Sequence, residues 1–512
     1  MNSANKTIAK NTMFLYFRMM LTMFISLYTS RVVLQILGVD DYGIYQAVGG
    51  IVGFLSFINN ALSTGTSRFI TFGLGEGNAQ KLRNIFSTTL IAHLCLAVVV
   101  VLLAETIGLW FLHNKLVIPP DRLNAAEFVF HLSIITAFFS LTQVPFGACI
   151  IAHEKMGIYA YVSIIEAFLK LLIVYLLTIG DYDKLKLYAL LLCAIEIGVV
   201  FFYNIYCSQN FEESKFRLFF DKKLFKEIAG FSGWSLFAST SISLNSQGIL
   251  VLLNMFFSPA VVAARAISLQ VYSAANLFVT NFQVAANPQI VKLYASGNYE
   301  ESKKILLQTT KFSFYLMFLL SLPICLGAKQ LLTIWLKCVP DYTVIFLQLA
   351  IIQSLFCVFD TSFYRVLYTK GQLKENALIS PVLGFIQFPV VYFLFHKGFS
   401  PVVLSWASLI MYALLGLIVK PVLVMKIANY TWKDFSSTFI PCIRVTITAL
   451  PIPLLFYYNM KCDSIITFFS TITLVSVIAV LFSVWLVGID KYMKRCIVDY
   501  VKKLGISKKD SF

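Results

Sequence analysis

Long apolar segments fill nearly all of the 512 residues and leave no stretch that could form a soluble domain. A helix needs roughly 20 mainly apolar residues to cross the hydrocarbon core of a bilayer, where its backbone polar groups must bond to one another. The sequence therefore predicts an all-α, polytopic membrane protein of about 14 transmembrane helices. The predicted helices lie at residues 12–37, 43–66, 85–112, 127–152, 157–179, 185–207, 231–256, 261–287, 306–328, 342–368, 376–396, 400–424, 438–459 and 464–487.

The distribution of basic residues indicates how these helices are oriented. A net charge of +16 would suit a nucleic-acid partner if the basic residues formed one surface patch. Instead, the loops on the side of the N-terminus carry several times as many Lys and Arg residues as the opposite loops. By the positive-inside rule this side faces the cytoplasm, so both termini are predicted to be cytoplasmic.

A short motif occurs twice in the chain, 220 residues apart. Gly77–Thr89 reads GNAQKLRNIFSTT, and Gly297–Thr309 reads GNYEESKKILLQT. Each copy follows the second helix of a predicted six-helix set, which indicates two parallel repeats with a substrate site between them. The predicted units are an N-lobe of helices 1–6 at 1–210, a cytoplasmic basic linker at 211–230, a C-lobe of helices 7–12 at 231–430, helices 13 and 14 at 431–488, and a cytoplasmic basic tail at 489–512.

Polar residues recur every three or four positions in several predicted helices, most clearly in helix 8. A face that contacts lipid should be apolar, so these stripes mark a surface turned to protein or water. An Arg at membrane depth is costly unless it meets water or an anion, and its guanidinium fits phosphate oxygens well. Tight packing is the alternative role for the small polar residues, and snorkelling to the interface is the alternative for Arg31. The predicted cavity residues that bind substrate are Arg18, Thr22, Ser26, Arg31, Asn60, Arg265, Tyr272, Asn276, Thr280 and Gln283.

Other charged residues also lie inside predicted helices. Glu166 and Lys170 are four residues apart, so we expect an intrahelical ion pair, with ion coupling as the alternative role. Glu196 and Asp360 have no evident partner in the sequence, which makes each a candidate cation or proton site.

Several kinds of chemistry leave no signal in the sequence. The ten cysteines are scattered without Cys-x-x-Cys spacing, and the histidines do not cluster, so no metal site and no disulfide framework is predicted. No P-loop is present, and the Gly73–Gly77 stretch joins two predicted membrane helices instead of following a strand. We therefore predict a protein that is not an enzyme and that has no cofactor.

Two motifs in the chain resemble those of a known family. The first is Arg31–Tyr45, RVVLQILGVDDYGIY, at the first helical turnaround; the second is Asn287-Pro288 with Gly297-Asn298 after helix 8. With the fourteen-helix layout, they resemble the polysaccharide flippase family of the multidrug, oligosaccharidyl-lipid and polysaccharide exporter superfamily. The resemblance implies two six-helix bundles in a V, alternating access, and a central cavity lined by helices 1, 2, 7 and 8.

The resemblance also implies a function. Members of that family move an undecaprenyl-diphosphate-linked oligosaccharide from the inner to the outer leaflet of the bacterial cytoplasmic membrane, for O-antigen, capsule or related glycan synthesis. The implied partners are this lipid-linked substrate, membrane lipids, and a polysaccharide polymerase with its chain-length machinery. The alternatives are a drug/cation antiporter of the same superfamily, or a membrane polysaccharide polymerase or ligase.

Overall fold

A computed structural model describes residues 3–153, 155–370, 374–460, 464–490 and 494–495 of the chain. Helices and short connections make up this part of the chain, and no strand occurs within it. The helices before residue 211 are α1 (Ser3–Leu37), α2 (Val39–Phe54), α3 (Ser56–Gly75), α4 (Ala79–Leu103), α5 (Leu109–Lys115), α6 (Leu123–Ala152), α7 (Met156–Leu176) and α8 (Lys184–Asn210). Those that follow are α9 (Lys222–Ser243), α10 (Ile249–Phe256), α11 (Pro259–Ala295), α12 (Tyr299–Leu326), α13 (Ala328–Leu336), α14 (Thr343–Lys370), α15 (Lys374–His396), α16 (Val403–Leu414), α17 (Lys420–Ala428), α18 (Trp432–Ala449), α19 (Pro451–Asn459) and α20 (Ile465–Ser483).

Several of these helices continue one another through π-helical turns. Such turns join α4 to α5, α9 to α10 and α16 to α17, and another follows α20. A π-turn inserts an extra residue and so rotates the side chains beyond it around the helix axis. The turns lie at Ala104–Gly108, Leu244–Gly248, Leu415–Val419 and Val484–Gly488.

Twelve helices in the described residues are long and apolar enough to cross a membrane. They correspond to the predicted segments except 43–66 and 231–256, so the prediction of a polytopic all-α membrane protein is confirmed. The two remaining segments are also helical, but they are interrupted. The first breaks between α2 and α3 at Leu55, and the second contains the π-turn between α9 and α10. Both carry many Ser, Thr, Asn or Gly residues, which lower their hydropathy.

The chain divides into two compact units. Unit 1 consists of Met1–Ile267, Pro340–Thr343 and Ala377–Val403. In it α6 packs against α4 and α8, and α3 packs along α9. Its core includes an apolar cluster around Ile44 and Phe130 and another around Phe86 and Phe146.

Unit 2 consists of Ser268–Val339, Val344–Asn376 and Leu404–Phe512. Here α12 packs against α18 and α20. Aromatic rings fill the space between α14 and α18, where Phe359 and Phe363 contact Phe435 and Phe439 at centroid distances of 4.9 to 6.1 Å. The division into predicted lobes stays a prediction.

The first family-like motif forms the tight junction between α1 and α2. Gly38 separates the two helices with a φ of +83°, a value that L residues with side chains rarely adopt. Five residues later, a Cβ at Gly43 would lie 1.9 Å from the carbonyl oxygen of Pro259. Glycine is therefore needed at both positions, once for the turn and once for close backbone approach within unit 1.

The repeated motif has the same local structure in both copies. Gly77 and Gly297 both have positive φ, and each is followed by an asparagine at the N-cap of the next helix. The side chain of Asn78 accepts a hydrogen bond from the Lys81 amide at 3.0 Å, as an N-cap residue should. Both copies share the left-handed glycine before a helix start, and the side-chain cap is formed in the first copy.

Candidate functional site

Arg18 on α1 is held against α7. Its Nη1 donates a hydrogen bond to Ser163 Oγ at 3.2 Å, and its guanidinium carbon lies 5.3 Å from the centre of the Tyr159 ring. These contacts orient the cation through a hydroxyl and an aromatic face. Of the other predicted residues on α1, Thr22 donates its hydroxyl to the Met19 carbonyl, and Ser26 is exposed.

The predicted ion-coupling residues of unit 1 lie on the same side of α7 as the Arg18 contacts. Tyr159, Ser163, Glu166 and Lys170 recur every three or four residues, and so share one helix face. Glu166 Oε1 and Lys170 Nζ are 2.5 Å apart, as the sequence spacing predicted. Glu196 on α8 lies close enough to both to interact electrostatically. The structure thus pairs two predicted residues and places a third within electrostatic range of them.

Arg265 is buried near the start of α11, in unit 1. The residues from Val261 to Ser268 are all buried, and Arg265 is 3% exposed. The predicted stripe continues along α11 into unit 2, where Thr280 is exposed. Arg265 is therefore enclosed by protein, in a helix long and apolar enough to cross a membrane.

Two predicted residues of the α11 stripe bond to α14. The Tyr272 hydroxyl lies 3.4 Å from Cys357 Sγ. Gln283 is buried, and its Nε2 donates to Ser362 Oγ at 2.9 Å while its Oε1 accepts from Thr361 Oγ1 at 3.1 Å. These groups hold two helices together, which is the packing role left open for polar residues inside helices.

The remaining predicted residues give less information. Asn276 donates its side-chain amide to the Tyr272 carbonyl on its own helix. Arg31 is half-buried near the end of α1, and the side chain of Asn60 lies outside the described residues.

Asp360 has a partner that the sequence did not reveal. Its Oδ1 lies 3.2 Å from Nζ of Lys420, which also stands 5.3 Å from the Tyr364 ring. The π-turn Leu415–Val419 ends immediately before Lys420, and Gly416 within it approaches α14 so closely that a Cβ would lie 2.6 Å from the Phe356 carbonyl oxygen. Close helix approach and the rotated register bring the lysine to the aspartate. The only sequence signal was a single Lys in the apolar segment 400–424.

Three connections of unit 1 meet at Arg122. Its Nε and Nη2 donate to Asp41 Oδ1 and Oδ2 at 2.8 and 2.6 Å, and its Nη1 donates to Asp183 Oδ2 at 3.0 Å. Burial raises the pKa of the Asp41 carboxyl despite the guanidinium beside it. Burial also acts to raise the pKa of Asp183, but hydrogen bonds from Arg122 and from the Lys186 amide outweigh it and lower that pKa. One arginine thus ties the starts of α2, α6 and α8 together.

Comparisons with known proteins found a matching family model and a similar membrane protein. Residues 15–176 match the family model MatE. The uncharacterized membrane protein EpsK of Bacillus subtilis (strain 168) is 24% identical over 471 residues, which make up 87% of this chain and 88% of EpsK.

Two solved structures match over most of their length. The lipid II flippase MurJ, in an inward closed conformation, superposes with a TM-score of 0.70 at 11% identity and covers 93% of this chain and 98% of its own. A multidrug resistance MATE family transporter of the MOP superfamily, in an inward-facing conformation, superposes with a TM-score of 0.66 at 14% identity and covers 81% of this chain and 99% of its own. The chain is therefore a multi-pass membrane protein with the fold of the MOP superfamily, as its resemblance to that superfamily's flippases predicted.

Proposed function

We propose that this chain is a flippase that moves an undecaprenyl-diphosphate-linked oligosaccharide from the inner to the outer leaflet of a bacterial cytoplasmic membrane, for synthesis of O-antigen, capsule or a related glycan. The observation that carries the proposal is the position of Arg18 and Arg265 along their helices. With the N-terminus in the cytoplasm, α1 runs outward and α11 runs inward. Arg18 then falls in the inner half of α1, and Arg265 falls in the outer half of α11.

A guanidinium near each end of the path across the membrane favours an anionic substrate. A diphosphate cannot cross the hydrocarbon unaided, because every charged oxygen stripped of water costs free energy. The planar fork of arginine can bind two phosphate oxygens at once, and replaces the lost hydration. With the cell interior negative, outward movement of about two negative charges is favoured by roughly 4 to 5 kcal/mol per 100 mV.

The extent of the structural similarity supports a flippase over an antiporter. MurJ covers 93% of this chain and the MATE transporter 81%. The difference corresponds to about 60 residues, which is the size of the region from α18 to the π-turn after α20, the predicted helices 13 and 14. MurJ is described as acting on lipid II, itself a lipid-linked substrate, and we extend that class of substrate to this chain.

A drug/cation antiporter is the second candidate, and one specific observation favours it. Glu166 and Lys170 pair on α7, and Glu196 on α8 lies within electrostatic range of them; the pair falls inside the region that matches the MatE model. Two carboxylates beside one ammonium could exchange a proton or a cation. Against this, the span Arg18–Leu37 contains two arginines and no acidic residue, which disfavours a cationic cargo on α1.

Transport by the purified protein in liposomes tests the proposal. The cargo is a fluorescent polyprenyl-diphosphate oligosaccharide, and the readout is the fraction that becomes accessible to an impermeant quencher of fluorescence. We expect Arg265→Ala to abolish this movement and Arg18→Ala to lower it about tenfold, with Arg444→Ala as a matched control because Arg444 is exposed on α18. Arg265→Lys should restore only part of the activity, since it keeps the charge and loses the fork. Wild-type movement by the Arg265→Ala protein would refute the cavity assignment, and drug uptake without lipid movement would favour the antiporter.

A further inference from the structure

The linker after α8 is attached to the helices of unit 1 at its beginning. The Phe211 ring stacks on the His153 ring with centroids 4.1 Å apart. Glu213 Oε1 lies 2.5 Å from His153 Nε2, and both Glu213 and Ser214 are buried. The start of the linker is therefore part of the folded unit and not a free connection.

The linker is attached again seven residues later. The backbone N–H of Asp221 donates to Thr88 Oγ1 on α4 at 3.1 Å. The Asp221 carboxylate accepts from the amides of Lys223 and Leu224, and so caps the start of α9. Thr88 stands two residues before the apolar run Leu90–Leu103 of α4. The second attachment thus lies level with the point where α4 begins its long apolar stretch.

Between these attachments, residues 215–220 form a projecting loop, here called the aromatic loop. All six side chains are exposed, and Leu218 is 87% exposed. Phe216, Phe219 and Phe220 accompany it, although the loop lies outside every helix that could span the membrane. Exposed basic side chains lie in and beside the loop, namely Lys215, Arg217, Lys222, Lys223 and Lys226. Between Lys215 and Lys226 the acidic residue is Asp221, which caps α9, and the exposed Glu212 and Glu227 flank this stretch.

We propose that the aromatic loop docks onto anionic lipid headgroups at the boundary between headgroups and acyl chains. Four exposed apolar side chains within six residues indicate a surface that binds an apolar partner. The surrounding positive charge calls for an anionic one, and a bilayer surface with anionic lipids supplies both at once. The level of Thr88 on α4 puts the loop at that boundary without any rearrangement. The docking does not depend on which substrate the chain transports.

The depth of a fluorescent label on the aromatic loop, measured relative to the bilayer surface, tests this docking. Leu218→Cys is labelled with an environment-sensitive fluorophore in protein whose exposed Cys95 and Cys338 are replaced by serine, and the same protein without Leu218→Cys measures background labelling. In nanodiscs with phosphatidylglycerol, we expect quenching by lipids that carry a nitroxide high on the acyl chain, and protection from aqueous iodide. Gln80→Cys, exposed at the start of α4, is the control, and should be quenched by iodide in every lipid.

Changes in the charge of the loop and in the lipid composition test whether the docking depends on anionic lipids. The triple variant Arg217→Glu/Lys222→Glu/Lys223→Glu, or nanodiscs of phosphatidylcholine alone, should reduce the lipid quenching at residue 218 by about twofold or more. Iodide quenching at residue 218 as strong as at residue 80, with phosphatidylglycerol present, would overturn the proposal. So would protection of residue 218 in cell membranes but not in nanodiscs, because that result would indicate a protein partner.

Discussion

The two lysine–carboxylate pairs that contain predicted ion-coupling residues are built in opposite ways. Glu166 and Lys170 are one turn apart on α7, and their side chains are 26% and 41% exposed. Asp360 and Lys420 are 60 residues apart on α14 and α17, and their side chains are 20% and 3% exposed. The first pair can be made by a single helix, whereas the second exists only when two helices pack.

The difference in burial and in helix pairing indicates a different role for each pair. A pair within one helix forms without a partner helix, and the Glu166–Lys170 pair is less enclosed by protein than the Asp360–Lys420 pair, which leaves it open to an ion or a substrate. A buried pair between helices depends on both partners, because either charge left alone in a place of low polarity is strongly destabilising. We infer that Asp360–Lys420 joins two helices of unit 2, while the α7 face is the better place to look for transport chemistry.

The strongest test of this comparison is to break the buried pair. Lys420→Met or Asp360→Asn alone should lower the free energy of unfolding by about 3 to 5 kcal/mol, and the double substitution should recover most of the loss. Thermal unfolding of the purified protein in detergent measures the effect. Lys426→Met is the matched control, because Lys426 is exposed on the same helix. Single variants as stable as wild type would remove the distinction between the two pairs.

The next test concerns the cation beside the accessible pair. Arg18 contacts a hydroxyl and an aromatic ring, so its loss should leave folding intact. We expect Arg18→Ala to lower transport about tenfold, equivalent to roughly 1.4 kcal/mol. Arg18→Lys should fall between this variant and wild type. Loss of protein from the membrane in parallel with transport would instead assign Arg18 a structural role.

A smaller effect is expected for the accessible pair itself. Glu166→Gln or Lys170→Met should lower the free energy of unfolding by about 1 kcal/mol or less, since both side chains are partly exposed. The double variant Glu166→Gln/Lys170→Met should fold and transport normally if the pair is structural, as we predict. Protein level and lipid movement, measured together on the two singles and the double, separate the roles. A stable but inactive double variant would contradict us and assign Glu166 to ion coupling.

The smallest effects are expected at Arg122, where two carboxylates share one cation. The pKa of Asp183 is lowered, so its stabilising contribution is present above its ordinary value of 3.8 and is lost as the pH falls through the lower folded pKa. The pKa of Asp41 is raised, so its ionised form contributes less. Asp183→Asn should therefore lower the melting temperature at neutral pH more than Asp41→Asn, by the equivalent of roughly 0.2 to 0.5 kcal/mol. The cost of Asp183→Asn should begin to fall near pH 3.8 and vanish below the lowered folded pKa, and an equal cost at neutral and strongly acidic pH would contradict the assignment.

The sequence by itself determined the class of the molecule and most of its helices. Apolar length is a local property, so helices such as α8 and α20 lie within a few residues of their predicted segments. The spacing of Glu166 and Lys170 predicted their contact, because residues four apart on a helix are neighbours whatever surrounds them. The break at Leu55 and the π-turns were not predicted, since they depend on how neighbouring helices pack.

Only the tertiary structure decided which polar groups meet across helices. Lys420 reaches Asp360 because a π-turn rotates its side chain and Gly416 lets two backbones approach. Gln283 bonds to Ser362, and Arg122 joins Asp41 to Asp183, over separations of 61 to 81 residues. A helical period shows which face of a helix is polar, and it does not show which helix that face will meet. That choice depends on crossing positions and close backbone approach, which belong to the packed molecule.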